Sequence, residues 1–264
     1  MCGFIGFSGN LDNKEAILQK MMDRIVHRGP DMGGMYTDDG IALGFRRLSI
    51  LDLSDAGAQP MANEDKSVVV VFNGEIYNFM ELRRELEAKG HTFHCGADTE
   101  VLIHGYEEYG TELIYRLRGM FAFVLWDAKN KRMFGARDIF GIKPFYYYPV
   151  PDGSGLVFGS EIKAFLEHPK FVKAVNENAL RPYLTLQYSA TEETFFKGVY
   201  KLPAAHYFTY ENGKMEYTPV TVDVLSSFEG WNESFQAAAR KKHIHFSFDN
   251  MPDSNYHTQA DVEK

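Results

Sequence analysis

Short apolar segments recur along the first 220 residues, and most of them predict β-strands. Residues 4–7 place Phe4, Ile5 and Phe7 between glycines, which is typical of a short buried strand at the very start of the chain. Residues 67–72 contain four consecutive valines, a run too continuous to leave a solvated face. The same criteria predict strands at residues 33–37, 41–45, 91–94, 120–126, 132–136, 145–148, 156–159 and 195–202, and a hairpin at 206–217.

Helices are predicted where apolar positions change to a longer period. Ile17, Met21 and Ile25 recur at i, i+4 and i+8, behind a segment at residues 12–15 that resembles a capping box. Gly29 and Pro30 end this helix. Further helices are predicted at residues 78–89, 99–109 and 176–186, with a short one opening at 160–163.

The order of these elements favours an α+β fold. Antiparallel strands interrupted by pairs of helices are incompatible with a simple strand–helix–strand repeat. We therefore expect two stacked antiparallel sheets with helices outside, a four-layer αββα sandwich, over residues 1–218. Residues 219–264 lack a sustained helical or strand period, which predicts a weakly ordered tail.

Composition excludes several classes of partner. The chain has 264 residues, 45% of them hydrophobic, and 36 acidic against 28 basic side chains give a net charge of −8. This balance makes nucleic acid and anionic membranes poor partners. No apolar run is long enough to span a bilayer and no signal peptide is recognisable. Two cysteines make no disulfide framework, which indicates a reducing cytoplasm.

Cys2 has an unusual position, directly after the initiator methionine. Removal of Met1 would place a thiol and a free α-amine on one residue. An α-amine titrates near ~7.7–8.0, so part of it is neutral at pH 7 and can accept the thiol proton. By position alone, however, Cys2 is better explained as an ordinary buried cysteine, and lipidation has less support still.

Three polar segments have simple structural explanations when each is taken alone. Asn73 and Gly74 follow the valine run and are typical of a type I′ turn. Residues 27–31 are typical of helix termination, and Asp98 of a helix N-cap. The histidines near Cys95, His91 and His94, have no second ligand pair at zinc-site spacing, and the same holds for residues 243–245, so we predict no metal.

Taken together and in order, nine segments resemble one family. They are similar to the class II glutamine amidotransferases, which are amino-terminal-nucleophile hydrolases, and most closely to the glutaminase half of glutamine-dependent asparagine synthetases. Each segment is weak alone, but the ordered set is highly specific. The segments are residues 1–3, 27–31, 47–50, 72–78, 98–100, 136–138, 141–144, 160–163 and 201–203.

The resemblance implies a reaction and a set of site residues. Cys2 would attack the side-chain amide of L-glutamine, giving a thioester that water opens to glutamate and ammonia. Asn73 and Gly74 would stabilise the developing oxyanion, with Cys2 as the nucleophile. Arg46 is an alternative to Arg47 for the substrate carboxylate. The implied substrate-binding residues are Arg47, Leu48, Ser49, Ile50, Leu51, Asn73, Gly74, Glu75 and Asp98; neither a cofactor nor a metal is implied.

The chain also departs from this family. Asparagine synthetases continue into a domain with the pyrophosphate loop Ser-Gly-Gly-x-Asp-Ser, and neither that string nor a Walker-type loop occurs here. We therefore expect ammonia release without ATP-dependent synthesis, with a separate synthetase domain or subunit as a possible partner. Two alternatives remain open: a catalytically idle regulatory or truncated module, and a glutaminase serving another ammonia acceptor.

Overall fold

The computed structural model describes residues 2–48, 57–188 and 191–221. The chain divides into two units, Met1–Val220 and Thr221–Lys264, and the helices and strands of the described residues lie in the first. The predicted tail lies outside the described residues from position 222 onward. Among the described residues, no helix combines the length and apolar character needed to cross a membrane.

Twelve strands and four α-helices are present in these ranges. The strands are β1 (Gly3–Ser8), β2 (Met32–Thr37), β3 (Ile41–Arg47), β4 (Met61–Ala62), β5 (Val68–Ile76), β6 (Gly119–Asp127), β7 (Arg132–Arg137), β8 (Tyr146–Pro149), β9 (Leu156–Gly159), β10 (Tyr200–Lys201), β11 (His206–Glu211) and β12 (Lys214–Pro219). The α-helices are α1 (Lys14–Asp23), α2 (Phe79–Ala88), α3 (Glu100–Tyr109) and α4 (Glu177–Leu186). Short 3₁₀ helices cover Val26–Arg28, Gly110–Arg116 and Ile162–Glu167.

The strands form two six-stranded sheets. The first has the order β10-β8-β9-β1-β3-β2, and the second the order β12-β11-β7-β6-β5-β4. All of the strand pairs in both sheets are antiparallel. The predicted first strand is therefore an interior strand, held by β3 on one side and β9 on the other, which fixes the start of the chain.

Three apolar layers confirm the predicted αββα sandwich. Between the sheets, side chains such as Phe4 and Val71 are fully buried. On the outer face of the first sheet, α1 packs Leu18 and Met21 against Ile5 and Phe7 of β1. On the outer face of the second, α2 and α3 cover β5 and β6 in the same way. The four-residue valine run is buried because alternate residues enter different layers.

The predicted turn at Asn73 and Gly74 is wrong. β5 continues through both residues to Ile76, with Asn73 opposite Ala122 and Gly74 opposite Phe121 of β6. Pairing with a nine-residue partner strand supplies more backbone hydrogen bonds than a two-residue turn. A local turn signature is thus overridden by tertiary pairing, and this brings both residues to the end of a buried strand.

The strand predicted at residues 91–94 is also absent. The His91 N–H donates to Leu86 O at 3.1 Å, and the His94 N–H donates to a Glu100 carboxylate oxygen at 2.8 Å. Local acceptors therefore take the donors that a strand would offer to a neighbour. Of the strand predicted at 195–202, only Tyr200–Lys201 pairs as β10.

Predicted helix caps differ from the observed ones. α1 begins after Asn13, which adopts φ 59° and makes no side-chain cap, so the capping box is not formed. Ser160 does not cap a helix either: its hydroxyl accepts the Phe4 N–H at 3.1 Å and its own N–H donates to Phe4 O at 2.9 Å. Ser160 therefore ties the end of β9 to the beginning of β1.

Candidate active site

A cavity of about 630 Å³ lies at the ends of β1, β3 and β5, beside the loop that precedes α3. Its volume lies within the range usual for small-molecule sites. Ser49, Ile50 and Leu51 lie outside the described residues. The other predicted site residues all line the cavity: Cys2, Arg47, Leu48, Asn73, Gly74, Glu75 and Asp98.

Cys2 is held at the cavity wall by its neighbours. The Leu48 N–H points at Cys2 Sγ at 3.4 Å, and the Cys2 carbonyl accepts a hydrogen bond from Arg28 Nε at 2.9 Å. Arg28 fits because the next residue, Gly3, has no side chain: a Cβ there would lie 2.8 Å from Arg28 Cδ. The glycine after Cys2 thus gives the arginine room to hold the backbone of Cys2.

The loop at residues 27–31 does more than end a helix. A Cβ on Gly29 would lie 2.4 Å from the Arg46 carbonyl oxygen, so only glycine lets the loop lie against the end of β3. Asp31 N–H then donates to Arg47 O at 3.2 Å. On the other side, Glu161 accepts from Arg28 at 3.1 Å. The loop therefore joins the backbone of Cys2 to that of Arg47.

Asn73 presents an unused donor to the cavity. Its side chain is buried, with 2% of the residue exposed, and Nδ2 has no hydrogen-bond partner among the residues that the structure describes. A buried donor without an acceptor costs about 1–3 kcal/mol, so such groups are rare. The amide is therefore positioned for an acceptor that arrives from the cavity. Gly74 lies beside it, and a Cβ there would lie 2.2 Å from Met120 O.

Asp98 and Glu75 give the cavity a negative end. Asp98 does not cap α3; its Oδ2 accepts the Ile76 N–H at 2.8 Å. Burial, helped by the charge of Glu75, raises the pKa of Asp98 to about 6, against the lowering effect of that backbone donor. Burial also raises the pKa of Glu75, which the nearby Lys143 charge opposes. A bound cation would stabilise the ionised form of both carboxyl groups and so lower their pKa values.

Arg47 supplies a positive group to the same cavity. Successive residues on a strand point to opposite faces, so Arg46 and Arg47 diverge at the end of β3. Arg46 bonds to Asp23 at 2.9 Å on the side of α1 and is not part of the cavity lining. Arg47 is buried and lines the cavity. Geometry thus separates two adjacent arginines that the sequence could rank only by resemblance.

Lys143 was missed as a cavity residue. It is buried at the end of a loop that Asp138 organises: Oδ1 accepts Ile142 N–H at 2.9 Å and Oδ2 accepts Lys143 N–H at 3.0 Å. Arg137 completes the loop by donating to Lys143 O at 2.8 Å. The string Arg-Asp-x-x-Gly-Ile-Lys-Pro was the available signal, since its arginine and aspartate fix the lysine.

Gln59 is a second missed residue, without a recognisable local motif. Its Oε1 accepts the Phe72 N–H at 2.6 Å and its Nε2 donates to Thr99 Oγ1 at 3.3 Å. Gln59 therefore links β5 to the start of α3 at the cavity wall. This link holds the Asn73 and Asp98 segments at a fixed separation.

Comparison with known proteins agrees with this geometry. The family described as "Glutamine amidotransferase domain" matches residues 1–221. The chain belongs to this family. Among curated relatives, this glutamine amidotransferase domain is 41% identical over 214 residues to asparagine synthetase [glutamine-hydrolyzing] 1 of Bacillus subtilis, covering 79% of the chain and 33% of the relative. It is 46% identical over 167 residues to asparagine synthetase [glutamine-hydrolyzing] 2 of Arabidopsis thaliana, covering 62% and 28%.

The fold has a counterpart among solved structures. The glutamine phosphoribosylpyrophosphate amidotransferase of B. subtilis superposes with a TM-score of 0.62 at 18% identity, covering 84% of this chain and 50% of the other. At that identity the likeness establishes the fold. The glutamine amidotransferase domain described here spans about a third of the length of the curated relatives it matches.

Proposed function

We propose that this chain hydrolyses L-glutamine to glutamate and ammonia, with Cys2 as the amino-terminal nucleophile after removal of Met1. The observation that carries the proposal is the buried Asn73 Nδ2, which has no acceptor among the described residues and belongs to a side chain that lines the same cavity as Cys2. An acyl-transfer reaction needs such a donor where negative charge develops.

In the proposed reaction, the Cys2 α-amine takes the thiol proton and sulfur attacks the amide carbon. The carbonyl oxygen becomes an oxyanion that Asn73 Nδ2 and the Gly74 N–H stabilise. The tetrahedral adduct collapses, the C–N bond breaks, and the leaving nitrogen takes the proton to depart as ammonia. Water, deprotonated by the same amine, then opens the thioester to release glutamate and the free thiol.

Recognition of the substrate's amino-acid end is assigned to the charged groups of the cavity. Arg47 would bind the α-carboxylate through its paired N–H donors, and Asp98 would accept the α-ammonium with Glu75 beside it. The charge of Glu75 contributes to the raised pKa of Asp98, and a bound ammonium would offset the repulsion between these two carboxylates, which supports this assignment. Leu48, with Ser49, Ile50 and Leu51, would contact the rest of the substrate.

The destination of the ammonia is a further part of the proposal. The curated relatives are named asparagine synthetases, and this chain matches about a third of their length. We propose that a synthetase domain or subunit receives the ammonia. The boundary of the amidotransferase domain is placed at residue 218, which the compact unit Met1–Val220 supports. A cytoplasmic location suits a nucleophile that must stay a free thiol.

The test is release of glutamate and ammonia from glutamine by the full 264-residue chain. Intact mass first establishes that Met1 has been removed, since a retained methionine blocks the amine. We expect turnover by the trimmed protein, none by Cys2→Ala, and none with asparagine, whose side chain is one methylene shorter. Equal ammonia release by the trimmed protein and its Cys2→Ala variant would refute the proposal.

A further inference from the structure

A second group of ionisable side chains lies outside the substrate cavity, where the segment after α2 meets α3. His104 and Glu107 are three residues apart on α3 and so share a face of that helix. His91 approaches them from the segment that follows α2, and its imidazole ring centre is 5.1 Å from that of His104. The sequence did not indicate this group, because its members come from separate elements.

The three side chains present their ligand atoms to one point. Glu107 Oε2 is 2.8 Å from His104 Nδ1 and 3.6 Å from His91 Nδ1. One ligand atom from each of the three residues lies within 4.8 Å of those of the other two. Two nitrogen or oxygen ligands at ~2.0–2.1 Å from a tetrahedral zinc ion are ~3.3 Å apart. The separations of 2.8 Å and 3.6 Å lie on either side of this value, so side-chain rotations must lengthen the first and shorten the second to admit an ion.

Each of the three side chains also has a polar neighbour at its outer atom. Histidines that bind metals usually direct their second nitrogen at a carboxylate, which fixes the ring and its tautomer. Here both imidazoles turn Nδ1 inward and Nε2 outward toward a carboxylate, and the carboxylate ligand receives an amide donor. The outer partners are Glu100 for His104 (3.8 Å), Glu108 for His91 (3.4 Å) and Asn63 for Glu107 (2.7 Å).

We propose that His91, His104 and Glu107 form a binding site for a divalent transition metal, with Zn²⁺ the best match to two imidazoles and one carboxylate. The side chains of His91 and Glu107 are 19% and 25% exposed, so the site is open to solvent on one side. Water completes the coordination there.

The site would fasten the segment at residues 91–99 to α3. That segment already depends on α3, since Glu100 accepts the backbone N–H groups of His94 and Cys95 at 2.8 Å and 3.1 Å. Asp98, near the end of that segment, lines the substrate cavity. A bound ion therefore stabilises the fold locally and holds the Asp98 segment in place, whether or not the chain hydrolyses glutamine.

The experiment measures Zn²⁺ binding by the full chain in a Cys2→Ala background, which removes the cavity thiol as a competing ligand. After treatment with a chelator, calorimetric titration with Zn²⁺ gives the affinity, and Co²⁺ serves as the spectroscopic probe. We expect one equivalent to bind, a higher unfolding temperature with Zn²⁺ than without, and visible Co²⁺ bands without a thiolate charge-transfer band.

Matched variants distinguish Zn²⁺ binding at this site from Zn²⁺ binding by other histidines of the chain. His104 is buried against Phe93, so the variants change the more accessible His91 instead. Loss of an outer partner typically lowers metal affinity 10- to 100-fold. We therefore expect Glu108→Gln to bind Zn²⁺ about tenfold more weakly than the parent, and the ligand variant His91→Ala at least about 100-fold more weakly. His94 is an exposed histidine three residues from His91, so the control variant His94→Ala should bind Zn²⁺ with the affinity of the parent.

Three results would overturn the proposal. They are no Zn²⁺ binding by the folded parent, equal affinity in His91→Ala and parent, or a thiolate band that assigns the metal to Cys95. In the first case the cluster is an ion pair between a protonated His104 and its carboxylates.

Discussion

The pKa of Asp98 leads to a quantitative prediction for glutamine binding. In the proposed site, only the ionised carboxylate attracts the substrate ammonium. Burial raises the pKa of this group to about 6, so lowering the pH from 7 to 5 removes the charge in the free protein. The α-ammonium and α-carboxylate of glutamine keep their charges across that range. Weaker binding at pH 5 is therefore expected to originate in the protein.

The expected change in the Kd for glutamine follows from the ionised fraction of Asp98. With a pKa of about 6, the carboxyl is about 90% ionised at pH 7 and about 10% at pH 5. The apparent Kd should rise about tenfold, or ~1.4 kcal/mol, per unit of pH below the pKa. Replacement by Asn keeps the shape but removes the charge-assisted bond, which costs about 1.5–3 kcal/mol at pH 7.

The assay is calorimetric titration of glutamine into the Cys2→Ala protein at pH 5, 6, 7 and 8. Without the thiol no turnover occurs, so the titration of catalytic groups does not enter the measurement. We expect Kd to be flat above pH 7 and to rise about tenfold between pH 7 and pH 5. The double variant Cys2→Ala, Asp98→Asn should bind more weakly at pH 7 and show no such rise.

One pattern would refute this reasoning. If Kd of the Cys2→Ala protein is the same at pH 5 and pH 7, and Asp98→Asn does not change it, then Asp98 does not bind the ammonium. If the pH dependence persists in Asp98→Asn, another group controls it. Glu75 is the nearest candidate, because its pKa is also raised by burial.

Asp98→Asn should also stabilise the protein at neutral pH, because a raised carboxyl pKa means that ionisation of Asp98 opposes folding. The contribution of Asp98 to the free energy of unfolding is fully favourable below about pH 4 and is lost as the pH rises through about 6. Thermal unfolding should therefore show a higher midpoint for the variant at pH 7.5 and no difference at pH 4. Asn73→Ala should lower kcat about 10²–10³-fold with little change in KM, measured by glutamate release, since the lost donor acts on the oxyanion. Gly74→Ala should lower the unfolding midpoint by the equivalent of about 1–3 kcal/mol, because its Cβ would lie 2.2 Å from Met120 O; an unchanged midpoint would contradict the close approach of β5 and β6. Lys143→Met should raise KM more than it lowers kcat, because loss of the positive charge raises the pKa of Glu75 further; equal effects on both constants would argue against this role.

The sequence by itself determined the layers of this protein. The spacing of apolar residues and the turn residues predicted most of the strands and the positions of α1 to α4. This works because an element buried on one face repeats its apolar residues with its own period, which is about 2 residues in a strand and about 3.6 in a helix. The ordered motifs also named seven of the residues that line the cavity, from Cys2 to Asp98, but not Gln59 or Lys143. Their assigned roles in catalysis stay predictions.

Tertiary structure decided what those residues face. Asn73 and Gly74 have a turn signature, yet pairing with β6 extends the strand through them and places both residues at the cavity wall. Lys143 reaches the same cavity only because Asp138 and Arg137 shape its loop. A site is made where side chains distant in the chain converge, and that convergence depends on sheet pairing and packing, which local sequence patterns do not encode.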